Sequence, residues 1–100
     1  MRRALCVGVD EYGADSLRGC VDDAERMCSV LARNQDGSPN FDCRSFVAPQ
    51  GTGGIVTRSE LRDSLDQLLC DYADIALFHF SGHGTVNNLD GYLVTQDAQR

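Results

Sequence analysis

A histidine between two glycines is the feature of this sequence best suited to chemistry. Residues 81–84 read Ser-Gly-His-Gly and directly follow an apolar run at residues 75–80. The glycines let the backbone turn sharply and bring amide groups close to a ligand. Because imidazole titrates near neutral pH, His83 is a candidate general base. The alternative interpretation is a loop histidine that only ends the strand.

The hydrophobic pattern predicts the elements that position this turn. Apolar runs at residues 4–9, 43–48 and 75–80 are typical of strands buried on both faces. Apolar residues at helical spacing predict helices over 21–32 and 57–71, with a stripe of leucines (Leu61, Leu65, Leu68 and Leu69) on the second. Thr57 and Glu60 match a capping box at the start of that helix. Residues 92–94 predict a short last strand, which could be half of a hairpin.

The predicted order is β-α-β-α-β followed by a small β element. Strands that alternate with helices favour an α/β fold with a mainly parallel sheet and helices on its faces. In such sheets ligands bind at the carboxyl ends of the strands. The loops at residues 10–23 and 81–90 are therefore expected to form the site.

Length and composition exclude several classes of protein. A chain of 100 residues is enough for one domain only. Its net charge of −6 argues against nucleic acid or an anionic membrane as the main partner. No apolar run approaches the roughly 20 residues that span a bilayer, and no secretory signal is recognisable. We therefore expect a cytoplasmic protein.

The cysteine pattern favours reduced thiols. The sequence has five cysteines, an odd number without any C-x-x-C pair, which makes a disulfide framework or a zinc site improbable. Each is interpreted as a small hydrophobic core residue. They are Cys6, Cys20, Cys28, Cys43 and Cys70.

Two segments carry a resemblance to a known family. Residues 78–84 (FHFSGHG) resemble the histidine motif of the caspase-like cysteine peptidases. Residues 17–24 (LRGCVDDA) resemble the segment after the first strand in the metacaspase branch, and residues 7–12 suit the family's first strand. The resemblance covers nearly the whole chain. It implies a caspase-like α/β sandwich, with residues 1–100 as the N-terminal portion of a single peptidase domain.

The resemblance also implies site residues. His83 would be the histidine of a His–Cys dyad that cleaves peptide bonds. The backbone amide of Gly84 would supply part of the oxyanion hole. Asp23 would lie at the base of the pocket that receives the residue before the scissile bond, so cleavage after arginine or lysine is expected.

Two alternatives at this pocket stay open. True caspases cut after aspartate and hold it with arginine; alignment on this segment puts Leu17 at that position, with Arg18 one residue away. A shift of one residue in the alignment would restore specificity for an acidic substrate. Asp23 could also be a first-turn carboxylate that only complements the helix dipole, a role that suits Asp22 better.

The nucleophile of the family is not found in this sequence. In caspases it lies about 50 residues beyond the histidine, and no cysteine follows His83 here. We therefore expect the chain to be inactive alone and to be completed by a downstream segment that carries the cysteine and further strands. The resemblance also implies regulation by proteolytic processing.

Two functions other than peptide cleavage stay open. One alternative is a non-catalytic caspase-like adaptor or scaffold, and a second is a doubly wound α/β domain that binds a small ligand. The expected partner is a protein or peptide substrate with a basic residue before the cut. No cofactor or metal is expected; calcium dependence is possible by resemblance, but Asp90 and Asp97 are too few to define a calcium site.

Overall fold

Helices and strands alternate along the chain as the hydrophobic pattern predicts. The computed structural model describes residues 2–13, 16–51, 55–70, 73–86 and 91–93. The elements are β1 (Arg2–Val9), α1 (Cys20–Ala32), β2 (Asp42–Ala48), α2 (Arg58–Cys70), β3 (Ile75–Ser81), β4 (Gly84–Val86) and β5 (Gly91–Leu93). Their starts agree with the predictions to within two residues, except that β4 lies in a segment predicted as loop. The predicted ends of α2 at Asp71 and of the last strand at Val94 fall outside the described residues.

The main sheet has three parallel strands in the order β2-β1-β3. Because β1 is central, it pairs with β2 from Arg3 to Val9 and with β3 from Arg2 to Gly8. Strands β4 and β5 form a separate antiparallel pair, which confirms the hairpin suggested for the last strand. The fold class is therefore the predicted α/β architecture with a parallel sheet.

The side chains of β1 alternate between two helix-covered faces. Leu5, Val7 and Val9 pack with residues of the α2 side, including Val56 and Leu61, in the main hydrophobic core. Gly8 faces the other way and lies against α1. The sheet is thus a middle layer between the two helices, as expected for a sandwich.

Burial differs from the prediction in the outer strands and in one helix. Residues 4–9 of β1 are fully buried, whereas β2 and β3 are mostly half-buried or exposed. The prediction of strands buried on both faces is therefore right for β1 only, because each outer strand has one neighbour in the described sheet. Leu69 was predicted on the apolar stripe of α2, but 67% of its surface is exposed, so that assignment is wrong.

The structure confirms one of the two hydrogen bonds predicted for the capping box at the start of α2. The amide of Glu60 donates a hydrogen bond to Thr57 Oγ1 at 3.2 Å. This satisfies one of the amides that the first turn leaves without a helical partner.

The described helices are all too short or too polar to cross a bilayer.

Candidate active site

His83 lies just beyond the carboxyl end of β3, beside the end of β1. The last pair in the register joins Gly8 to Ser81, so the loops that follow both strands leave the sheet at the same edge. His83 is half-buried. The histidine is therefore at the rim of the sheet, where the sequence predicts the site.

Tyr12, from the loop after β1, holds the histidine turn. The backbone amide of His83 donates a hydrogen bond to the Tyr12 hydroxyl at 3.1 Å. The two rings meet edge to face, with centroids 4.4 Å apart and planes at 62°. One side chain thus contacts both the backbone and the imidazole of His83, which limits where the ring can lie.

Gly82 leaves room for this contact. A Cβ atom at this position would lie 2.6 Å from the Tyr12 hydroxyl and 3.0 Å from the Phe80 ring. Both distances are shorter than normal van der Waals contact. The glycine before the histidine therefore serves the close approach of Tyr12 rather than a left-handed backbone conformation.

The loop that carries Tyr12 is held by the carboxylate of Glu11. Its oxygens accept hydrogen bonds from the amides of Gly13 at 3.0 Å and Gly51 at 2.8 Å, and from the Ser16 hydroxyl at 3.1 Å. These bonds, led by that from Gly51, keep the pKa of Glu11 below its ordinary value. Glu11 therefore connects the loop after β1 to the loop after β2. The Ser16 hydroxyl in turn accepts a hydrogen bond from the Tyr12 amide at 2.9 Å.

A buried carboxylate caps α1 at the same edge of the sheet. Asp10 is only 8% exposed, and its Oδ1 accepts a hydrogen bond from the Cys20 amide at 2.9 Å. A carboxylate is stabilised at a helix N-terminus by free amides and by the helix dipole. Gly19 immediately precedes the helix with φ of 89°, a conformation that favours glycine.

The thiol of Cys20 joins this group. Burial raises its pKa, a hydrogen bond with Ser81 lowers it, and the carboxylates of Asp10 and Asp23 raise it. Asp23 on α1 and Ser81 on β3 therefore both affect the pKa of the Cys20 thiol.

Cys20, Cys28 and Cys43 are half-buried and Cys6 is buried, so the interpretation of the cysteines as core residues is confirmed for Cys6 only. The side chain of Cys70 lies outside the described residues.

Asp23 lies in the first turn of α1, where its side chain is exposed. Its amide donates a hydrogen bond to the carbonyl of Gly19 at 2.9 Å. Asp22, its neighbour, is also exposed in the first turn. Both carboxylates are therefore placed to complement the helix dipole, and only Asp23 also affects the Cys20 thiol.

Gly84 is the first residue of β4 and pairs with Leu93. It follows His83 directly, so its amide is next to the candidate base along the chain. Its role in an oxyanion hole stays a prediction.

A groove of about 690 Å³ lies elsewhere, between β2 and α2. Its lining includes Arg3, Arg44 and Asp63, but neither His83 nor Asp23. It is therefore separate from the predicted site.

Comparison with known protein families decides the assignment. The caspase domain family matches residues 1–100. The chain belongs to this family. The resemblance carried by the histidine motif and by residues 17–24 is thereby confirmed.

Curated relatives of this caspase domain are metacaspases. It is 34% identical over 87 residues to metacaspase-8 of Arabidopsis thaliana, covering 84% of this chain and 23% of the relative. It is 33% identical over 95 residues to metacaspase-1 of Meyerozyma guilliermondii, covering 90% and 23%. With metacaspase-5 of Trypanosoma cruzi the identity is 34% over 90 residues, covering 83% and 20%.

The chain therefore spans about a quarter of the length of these relatives. No solved structure matches it significantly. Family membership supports a cysteine peptidase type and excludes the unrelated small-ligand-binding domain considered above.

The described residues do not form a metal-binding cluster. Within the described residues, no group of three or more histidine, cysteine, aspartate or glutamate side chains is arranged to hold a metal ion. Asp90 and Asp97, the carboxylates considered for calcium, lie outside those residues.

Sequence analysis missed the residues that support the histidine. Asp10, Glu11 and Tyr12 directly follow the apolar run that ends at Val9. The sequence placed them in a loop and in the segment that suits the family's first strand, but gave them no role at the site. A run of two carboxylates and a tyrosine directly after a buried strand was a usable signal, because such residues lie at the ligand-binding edge of a parallel sheet.

Proposed function

We propose that this caspase domain is the histidine-bearing portion of a cysteine endopeptidase that cleaves proteins after arginine or lysine. The observation that carries the proposal is the placement of His83. It follows β3 at the carboxyl edge of the sheet, half-buried, with its amide and ring both in contact with Tyr12. A general base needs this combination of a defined position and access to substrate.

The catalytic thiol would come from polypeptide beyond this chain. His83 would accept the proton of that thiol as the sulfur attacks the scissile carbonyl. It would then protonate the leaving amine, and water would release the acyl group in the second half-reaction. The amide of Gly84 would donate to the oxyanion of each tetrahedral intermediate.

Asp23 would bind the basic side chain before the scissile bond. Its carboxylate is exposed at the start of α1 and affects the pKa of the Cys20 thiol. That pKa also responds to Ser81, two residues before His83. A carboxylate pairs well with arginine through two parallel hydrogen bonds. Asp10, a second carboxylate that affects the Cys20 thiol, adds negative charge that disfavours an acidic substrate.

Proteolytic processing would regulate this enzyme, whose substrates would be cytoplasmic proteins. The chain spans about a quarter of the metacaspases it matches, and we assign the remaining strands and the nucleophile to the rest of the same polypeptide.

The test uses the full-length protein with peptide substrates that end in arginine, lysine or aspartate. We expect cleavage after the basic residues only, and covalent labelling by a peptidyl chloromethyl ketone that ends in arginine. His83→Ala should lower kcat by about 10²–10⁴-fold, the usual contribution of general acid–base catalysis. Asp23→Asn should raise KM for the arginine substrate, whereas Asp22→Asn, the matched control on the same turn, should not.

Two results would overturn the proposal. Absence of both cleavage and labelling would favour the non-catalytic adaptor. Efficient cleavage after aspartate, unaffected by Asp23→Asn, would restore specificity for an acidic substrate.

A further inference from the structure

Three cysteines from different elements meet beneath helix α1. Cys6 lies on β1, Cys43 on β2 and Cys28 in the second half of α1. Cys43 pairs with Ala4 in the parallel register, and Ala4 and Cys6 share a face because side chains alternate along a strand. Gly8 lies on that face and contacts α1. Both strand cysteines are therefore on the side of the sheet that α1 covers.

The helical period places Cys28 on the side of α1 that faces the sheet. It follows Ala24, which lies against Gly8, by one turn, and α1 packs on both β1 and β2. Its thiol is near enough to those of Cys6 and Cys43 to affect the pKa of each. Burial, followed by the charge and hydrogen bond of Cys28, raises the pKa of Cys6 to about 11 and that of Cys43 to about 12. The three thiols are unbonded, and they lie close enough to influence one another.

A histidine side chain lies beside this thiol cluster. His79 on β3 pairs with Cys6 in the register. Among the described residues its Nε2 is buried without a hydrogen-bond partner. A single buried cysteine is well explained as a small hydrophobic residue, but three neighbouring thiols also provide the parts of a disulfide.

We propose that Cys28 and Cys43 form an oxidisable dithiol, which hydrogen peroxide converts into a disulfide that joins α1 to β2. Cys28 is the shared member because it lies on the face of α1 that covers both strands. Cys43 is preferred to Cys6 as its partner because Cys28 and Cys43 are partly exposed, whereas Cys6 is completely buried.

The chemistry balances with peroxide as the only oxidant. The sulfur of Cys28 attacks one peroxide oxygen; the O–O bond breaks, and the departing hydroxide takes up the proton of the Cys28 thiol to give water. The product is a sulfenic acid. The Cys43 sulfur then attacks the Cys28 sulfur, the S–S bond forms, the S–O bond breaks, and a second water leaves. Two thiols are oxidised while one peroxide is reduced to two waters.

The disulfide would act away from the candidate active site. Asp23 and Cys20 lie in the first turn of α1, whereas Cys28 is two turns further along the helix. The bond would fix the helix to an outer strand and leave the contact between Tyr12 and His83 untouched. A dithiol reductant would reverse it, which suits a site whose thiols are normally reduced.

The test is peptide mapping of the full-length protein after treatment with hydrogen peroxide and alkylation of the remaining thiols. Cleavage after arginine places Cys6, Cys28 and Cys43 on separate peptides, 4–18, 27–33 and 34–44. We expect peptides 27–33 and 34–44 to appear as one cross-linked species, lighter than their sum by two hydrogen atoms. Dithiothreitol should separate them.

Variants sharpen this result. Cys28→Ser should abolish the cross-link, and Cys6→Ala, the matched control in the same cluster, should keep it. The proposal is overturned if Cys28 and Cys43 both stay alkylatable at a peroxide dose that oxidises Cys20, or if Cys28 is instead joined to Cys6. Mapping of the unsubstituted protein gives this answer even if a variant does not fold.

Discussion

Tyr12 is the side chain that defines the position of the candidate base. Its hydroxyl accepts the His83 amide at 3.1 Å, and its ring packs on the imidazole at a centroid distance of 4.4 Å. A hydrogen bond and a ring contact thus reach His83 from a residue that lies 71 positions earlier in the chain. Tyr12 is therefore a positioning residue, since it acts through His83 and not on the substrate.

Removal of the Tyr12 hydroxyl should weaken catalysis with little effect on substrate binding. Tyr12→Phe keeps the ring contact and deletes an acceptor worth about 1 kcal/mol, so we expect kcat to fall about fivefold. Tyr12→Ala should lower kcat further, again with little change in KM, because the imidazole loses its neighbour. Steady-state kinetics of the full-length enzyme measure both effects. Unchanged kcat in Tyr12→Ala would contradict the positioning role.

Among the elements, the packing of α1 on β1 decides where Asp23 and Cys20 lie. The helix approaches the sheet so closely that a Cβ atom at Gly8 would lie 2.5 Å from the carbonyl oxygen of Cys20 and 2.9 Å from the Cβ of Ala24. One of these atoms belongs to the backbone, which cannot rotate away. The glycine near the carboxyl end of β1 therefore sets the height of α1 above the sheet.

A methyl group at this position should displace the helix. We expect Gly8→Ala to lower the free energy of unfolding by about 1–3 kcal/mol, the usual cost of overpacking. Urea denaturation followed by circular dichroism measures the change. Ser45→Ala, at an exposed position of β2, is the control and should change stability by less than about 0.5 kcal/mol. Equal stability of the two variants would show that α1 shifts without strain.

For the protein as a unit, the thiols of Cys6 and Cys43 make the free energy of unfolding depend on pH in the alkaline range. The pKa of Cys6 is raised from 9.0 to about 11 and that of Cys43 from 9.0 to about 12, chiefly by burial. An acid whose pKa is higher in the folded state favours folding while it is protonated. Its contribution is complete below the unfolded-state pKa and is lost as pH rises through the folded-state pKa.

Stability should therefore fall as pH rises above 9, with most of the loss before about 12. Measured by urea denaturation under reducing conditions, Cys6 alone should account for roughly 1 kcal/mol at about pH 10. Cys6→Ala should show a smaller decline between about pH 8 and pH 10 than the parent protein. A decline of equal size in both proteins would assign it to other groups.

Local patterns in the chain were sufficient for the element order and for the candidate base. Apolar runs and helical spacing predicted the strands and helices because those periods follow from backbone geometry alone. The motif at residues 81–84 identified His83, and alternation of strands with helices predicted the edge of the sheet at which it lies. The resemblance of two short segments indicated a family that the comparison confirmed over residues 1–100.

Contacts between distant segments could be known only from the folded chain. The burial of Asp10, the reach of Tyr12 to His83 and the meeting of Cys6, Cys28 and Cys43 all join residues from different elements. The exposure of Leu69 has the same origin, since one helix face can pack only where the sheet offers a surface. Periodicity predicts which residues share a face. The strand register and the height of the helix above the sheet determine which atoms on opposing faces touch.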